Sequence, residues 1–242
     1  MPNCPDTSFK IDFVIPTRDN PNPSLLTEVK QMPWAGEIII TKDKPLSVAR
    51  KRAVLKANTE WVAMIDGDML LPSNWLDCVS AAISSKVGVI GTVAVHKNKH
   101  VAAYDRVVGT IVKLNTIDTS PHINNIIVRR KLMEDYHPPL LFFGEDQYFK
   151  KYVETAGYKW VVLPFIGATH LGVSKNYVTV GIAYRRYGHF SIFQFVRRVV
   201  ARFLFTPFAG ILNLSLKTFH YLTKLNIEFI AGWFKELAFE KL

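Results

Sequence analysis

The chain has 242 residues, enough for one large domain or one domain with an appendage. It is 49% apolar and 12% aromatic, and its formal net charge of +10 points to a polyanionic partner: nucleic acid, a phosphorylated substrate or an acidic membrane surface. Cys4 and Cys78 lie far apart and do not read as a disulfide; a reducing compartment fits them, and the first residues carry no charged-then-apolar leader.

Residues 1–8 read as a loose tail. Ile11 to Ile15 is an apolar strand, closed by Pro16-Thr17-Arg18-Asp19-Asn20. Ser24 can cap a short helix to about Gln31, and Glu37 to Thr41 is a second strand. Strand, helix and strand at this spacing predict a βαβ unit and a parallel sheet. Asp43 closes the second strand. Ser47 to Asn58 is a helix that Ser47 can cap, carrying Arg50, Lys51 and Arg52. Trp61 to Ile65 is a short, fully apolar strand, and it ends on Asp66-Gly67-Asp68. Ligands bind at the carboxyl ends of strands in such sheets. Two acids there can hold a divalent cation, and the cation a diphosphate; a polar turn closing the strand is the plainer reading of the triplet alone.

A helix is predicted from Trp75 to Ser84 and a strand from Val87 to Val95. Residues 96–123 mix charged groups with short β-like runs, read as a sheet extension or an edge hairpin. Asn125 to Val128 is a further strand. After Glu145-Asp146, Gln147 to Ala156 reads as a helix that Gly157 ends, and Tyr158 to Leu163 is the last strand, followed by Gly167-Ala168-Thr169-His170.

The texture changes near residue 184, which divides a domain over 1–183 from a C-terminal segment over 184–242. That segment has nine Lys/Arg against three Asp/Glu, a net of +6. Phe190, Phe193, Val196, Val200 and Phe203 recur at helical spacing with Arg197, Arg198 and Arg202 on the other side, a basic amphipathic helix suited to a lipid headgroup layer. A charge-free run from Phe203 to Leu216, holding Pro207 and Gly210, is short of the roughly 20 residues that cross a bilayer. A third segment, Leu225 to Leu242, is amphipathic again. An ordinary helical subdomain is the alternative.

Taken together, D-F-V-I-P-T-R-D, E-I-I-I-T-K-D, A-R-K-R-A, W-V-A-M-I-D-G-D and F-F-G-E-D-Q-Y-F followed by A-T-H resemble a family 2 glycosyltransferase over residues 9–172. The resemblance implies the GT-A fold, an α/β Rossmann-like, mostly parallel sheet flanked by helices, followed here by a membrane-associated helical module. The C-terminal helices are similar to those of the membrane-bound branch typified by cellulose synthase. Gln194-Phe195-Val196-Arg197-Arg198 departs from that branch's Q-x-x-R-W motif at its last position. Within the family the chain looks most like a GDP-mannose-dependent mannosyltransferase of the crenarchaea.

What the resemblance implies is a metal-dependent, inverting hexosyltransferase. It would move a sugar, mannose from GDP-mannose first among the choices, to a lipid-linked glycan acceptor as in N-glycan assembly. Pro16, Thr17, Arg18, Asp43, Arg50, Asp66, Gly67 and Asp68 would bind the nucleotide sugar. Asp43 would face the base; a carboxylate matches the paired N–H donors of guanine. Asp68 and His170, with Asp66 in the ligand shell, would hold Mn²⁺ or Mg²⁺. Asp146 would be the general base and Glu145 would orient the acceptor; the plainer reading of this pair is acids at a helix N-terminus. Arg185, Arg186, Arg197 and Arg198 would meet a lipid or acceptor phosphate at the membrane, with the catalytic part on the cytoplasmic face. A polyprenyl-phosphate sugar synthase is a second enzyme reading, weakened by the presence of a base. A nucleic-acid-binding protein or a non-catalytic membrane scaffold is a different class. The basic residues accompany apolar helices instead of interleaving with aromatics, so no nucleic-acid partner is expected.

Overall fold

The computed structural model describes residues 10–17, 19–103, 122–138, 145–172, 178, 182, 185, 192–212 and 214–239. The chain divides into two compact units. The first comprises 1–95, 120–141 and 145–171, and the second 96–119, 142–144 and 172–242.

The first unit is built on a seven-stranded sheet. Its strands are β1 (Ile11–Pro16), β2 (Ala35–Thr41), β3 (Trp61–Ile65), β4 (Met69–Leu70), β5 (Val87–His96), β6 (Asn125–Arg129) and β7 (Lys159–His170), in the order β2-β1-β3-β6-β5-β7-β4. Strand β1 runs parallel to β2 and β3. Strand β6 runs antiparallel to both β3 and β5, and β4 antiparallel to β7. The sheet is therefore mixed, a correction to the mostly parallel sheet expected. The periodicity that identifies a strand carries no sign of its direction.

Strands β1 and β3 are buried on both faces, as their unbroken apolar runs require. Alternate side chains feed two cores. Ile11, Phe13, Ile15, Trp61, Ala63 and Ile65 pack with Leu25 and Val29 of α1 (Pro23–Gln31) and Trp75, Leu76 and Val79 of α3 (Trp75–Ser80). Val14, Val62 and Met64 pack with Ala53 and Val54 of α2 (Leu46–Lys56) and Phe149 and Val153 of α4 (Glu145–Thr155). The result is three layers, with α1 and α3 on one face and α2 and α4 on the other.

Helix starts differ from expectation. The Asn22 side chain, not Ser24, caps α1 by accepting from the Ser24 amide at 2.8 Å, with Pro23 in the first turn. Helix α2 begins at Leu46 after Pro45 and has no side-chain cap; Ser47 lies inside it and is buried. Strand β7 runs on to His170, well past Leu163, with Pro164 exposed within it.

A buried acid fixes the amino-terminal rim of the sheet. Asp12, 3% exposed, accepts from the Glu37 amide at 2.8 Å and from the Asn58 and Thr59 amides at 2.7 and 3.2 Å. It thus ties β1 to the starts of β2 and β3. A side chain at Gly36 would place its Cβ 2.2 Å from Asp12 Oδ1, so only glycine lets the carboxylate reach these amides.

In the second unit, α5 (Ile192–Leu212) and α6 (Leu216–Phe239) are joined by a short turn in which Leu214 has φ 45°. The three predicted segments are thus two helices. Pro207 lies within α5, and Phe203 to Leu212 of the charge-free run form that helix's second half. Thr206 and Asn226, both buried, hydrogen-bond at 2.9 Å between the two helices. Val196, Val200, Leu204, Phe208 and Ile211 form an exposed apolar stripe along α5. Among the described residues no helix is long and apolar enough to cross a membrane.

Candidate functional site

Strand β3 delivers Asp66 to the carboxyl-terminal rim of the sheet, where the backbone fixes the Asp66-Gly67-Asp68 turn from both sides. The Asp66 amide donates to the Asn124 carbonyl at 3.0 Å, at the entry to β6, and the Gly67 amide to the Pro16 carbonyl at 3.3 Å, at the exit of β1. The Asn22 amide donates to the Gly67 carbonyl at 2.8 Å. A Cβ on Gly67 would lie 2.9 Å from Thr17 Cβ and Oγ1, so glycine is what lets the loop after β1 close over the turn.

The two-residue strand β4 then sets Asp68 beside His170. Met69 pairs with His170 and Leu70 with Thr169, and the Leu171 amide donates to the Asp68 carbonyl at 2.8 Å. Asp68 Oδ2 and His170 Nε2 lie 3.4 Å apart, the carboxylate half exposed and the ring buried. One carboxylate and one imidazole at this separation suit a divalent ion of the Mn²⁺ or Mg²⁺ kind, whose remaining positions diphosphate oxygens and water would fill. Among the described residues no three His, Cys, Asp or Glu side chains gather as a metal cage. Asp66, the third residue of the expected metal set, is engaged elsewhere.

Its partner is Arg50. The guanidinium rises from α2, is 6% exposed, and spans two acids: Nη2 donates to Asp66 Oδ1 at 2.6 Å and Nη1 to Glu145 Oε1. Glu145 and Asp146 are the first two residues of α4, so Arg50 ties the end of β3 to the start of α4. Arg52, two residues on in the same helix, is exposed. Lys51 reaches the Glu134 and Tyr136 carbonyls at 3.1 and 2.6 Å, beyond the 3₁₀ turn Arg130–Met133.

Burial opposes the charge on Arg50, but Asp66 and Glu145 outweigh it and raise its pKa above the ordinary range. Burial likewise pushes the Glu145 carboxyl up; Arg50 opposes this rise, while Asp146 and Asp66 add to it. The Tyr136 phenol, also buried, is pushed up first by desolvation and then by Glu145 and Asp146. Three acids thus share one guanidinium.

The other expected site residues are placed as follows. Pro16 is buried at the end of β1, and the Thr17 amide donates to the Thr41 carbonyl at 2.9 Å, beside the exit of β2. Asp43, exposed, lies just beyond that exit on the same rim. Arg18 and Arg186 lie outside the described residues. Arg197 and Arg198 are on α5, with side chains outside the description, and the Arg185 guanidinium lies 5.1 Å from the Trp233 ring centre in the second unit. A residue that the sequence does not mark also reaches the site. His122 Nδ1 is 3.8 Å from Asp146 Oδ2, and only the pairing of β6 with β3 signals its position.

Neither a family model nor a curated protein sequence matches the chain. Solved structures do. A mannosyltransferase from Pyrobaculum calidifontis, in complex with GDP-mannose and Mn²⁺, is 14% identical over 97% of this chain and 89% of that one, with a TM-score of 0.58. Residues 1–349 of TarS from S. aureus, in complex with UDP-GlcNAc, are 12% identical over 96% of this chain and 92% of that one, with a TM-score of 0.52. At these identities the likeness is one of architecture, and it shows that the chain has a GT-A-like α/β fold.

Proposed function

We propose that the chain is a metal-dependent glycosyltransferase that moves a hexose from a nucleotide sugar to a hydroxyl acceptor with inversion. The observation that carries this reading is the convergence on one sheet rim of the Asp68–His170 pair and the Asp66–Arg50–Glu145 bridge with Asp146 beside it. The first carries donor groups suited to a cation, and the second presents a carboxylate at a helix start. The fold shared with nucleotide-sugar transferases supports the same reading.

In this reading Pro16, Thr17 and Asp43 line the nucleoside end of the donor site, and Asp43 favours guanine. GDP-mannose is therefore the first donor to test, and the mannosyltransferase of similar fold was solved with that donor. Asp68 and His170 would hold Mn²⁺ or Mg²⁺, which when bound neutralises the charge of the diphosphate. Arg50 keeps Asp66 and Glu145 in place instead of meeting the substrate itself. The Asp146 carboxylate takes the proton of the acceptor hydroxyl as that oxygen bonds to the anomeric carbon and the bond to the diphosphate oxygen breaks. One displacement inverts the centre and needs no covalent sugar–protein intermediate.

We place the acceptor on a lipid, as part of a lipid-linked glycan at the cytoplasmic face of a membrane. The exposed stripe of α5 and the +6 charge of residues 184–242 support this. The full chain should sediment with phosphatidylglycerol vesicles at low salt, and a chain ending at residue 188 should not; equal sedimentation of both would remove the membrane from the proposal. The enzymatic reading is tested by Asp146→Asn. Thermal shift with GDP-mannose and Mn²⁺ should match the parent chain while sugar transfer is lost, and undiminished transfer would take the base role from Asp146.

A further inference from the structure

The segment entering β6 lies against the carboxyl end of β3, because Ile65 pairs with Asn125 and the Asp66 amide donates to the Asn124 carbonyl. Backbone pairing therefore fixes the place of His122, two residues earlier. Its Nδ1 stands 3.8 Å from Asp146 Oδ2, beyond hydrogen-bond length and within ion-pair reach. The His122 side chain is 60% exposed and that of Asp146 32%, so the contact is on the solvent side of the bridge.

The electrostatics of the cluster give this contact a role. Asp66, Glu145 and Asp146 surround Arg50, whose two Nη atoms donate to Asp66 and Glu145. With three carboxylates to one guanidinium, repulsion favours a proton on one of the acids. A general base must start ionised. A second cationic group beside Asp146, outside the Arg50 bridge, shifts that balance at the acid that has to react. An imidazole can do this and still change charge near neutrality.

We propose that His122 is a positioning residue for Asp146, its imidazole orienting the carboxylate and keeping it ionised until it takes the acceptor's proton. This rests on the reading of Asp146 as the base. Among the described residues, the ionisable groups acting on the cluster include Arg50 from α2, Asp66 from the end of β3, Glu145 from α4 and Tyr136 from the segment after the 3₁₀ turn. Arg50 and Tyr136 are both pushed upward, away from neutrality.

Two measurements on the full chain test the proposal. The first needs no substrate: the imidazole rings are titrated by ¹⁵N NMR, with the His122 signal identified by its loss in His122→Gln. Asp146→Asn should lower the His122 pKa; an unchanged value overturns the pairing. The second is GDP release from GDP-mannose with Mn²⁺ and an alkyl mannoside as acceptor. His122→Ala should lower kcat about tenfold, a part of the ~100- to 10,000-fold that a positioned base supplies. KM for GDP-mannose should stay put, and the acid limb of kcat should move to higher pH. On the Asp146→Asn background the same change should cost nothing more. If Asp146→Asn is inactive while His122→Ala turns over like the parent chain, the positioning role fails and the base survives. If Asp146→Asn is fully active, the base reading itself fails.

Discussion

Replacing Arg50 by Gln removes the cation from between two acids whose side chains are 23% (Asp66) and 10% (Glu145) exposed. Breaking a buried ion pair from one side costs about 3–5 kcal/mol, mostly because the remaining charge is left without compensation. For a chain of this size each kcal/mol moves Tm by about 2–4 °C, so the variant should melt about 6–20 °C lower at neutral pH. The loss should depend on pH in a definite direction. Burial already raises the Glu145 carboxyl above its ordinary 4.5, and Arg50 is the group that opposes the rise. Without Arg50 the folded chain holds a proton that the unfolded chain releases, so stability falls as pH climbs from the unfolded carboxyl value through the folded one. Thermal melts of Arg50→Gln should therefore lie closer to the parent at pH 5 than at pH 8. Adding Glu145→Gln should restore part of the loss and flatten its pH dependence. A variant that loses less than about 1 kcal/mol, or whose loss is the same at both pH values, would refute the uncompensated-charge account.

Asp68→Asn and His170→Ala should each raise the Mn²⁺ concentration for half-maximal GDP release about tenfold or more, the scale seen when a metal's supporting groups are lost. An unaltered Mn²⁺ titration in either variant would separate that residue from the ion. Asp12→Ala leaves three part-buried amides without their acceptor, so urea unfolding should show a loss of about 2–3 kcal/mol while the folded fraction keeps its donor affinity. A loss below about 1 kcal/mol would mean that water reaches those amides after all.

The sequence disclosed the elements whose evidence is local. The apolar runs of β1 and β3 announced strands buried on both faces, and the acids at the end of β3 and the start of α4 stood out as a pair of chemical landmarks. Information held between distant residues stayed hidden. Arg50 and Glu145 are 95 positions apart, and nothing in the run Arg50-Lys51-Arg52 tells which of the three turns inward or which acid it meets. The direction of β6 was invisible for the same reason: direction depends on where the strand docks. Strand β7 was cut short because Pro164 and Gly167 resemble stops, yet Pro164 sits exposed and Gly167 lets β7 pass close over Thr92, where a Cβ would lie 2.3 Å from Oγ1. His122 needed both the register of β6 and the start of α4 before it could be connected with anything.

Asp12 has a consequence for how such a chain can change over time. It grips main-chain amides, which every replacement except proline retains, so the clasp is indifferent to the identities of residues 37 and 58. It also sits about 13 Å down β1 from Pro16, at the opposite margin from the groups that would touch a sugar. Segments 17–22 and 42–45 can then be exchanged between relatives without reopening the question of how the strands align. Grafting either one should yield a chain that still folds but selects a different substrate, which makes the two segments natural targets for laboratory recombination.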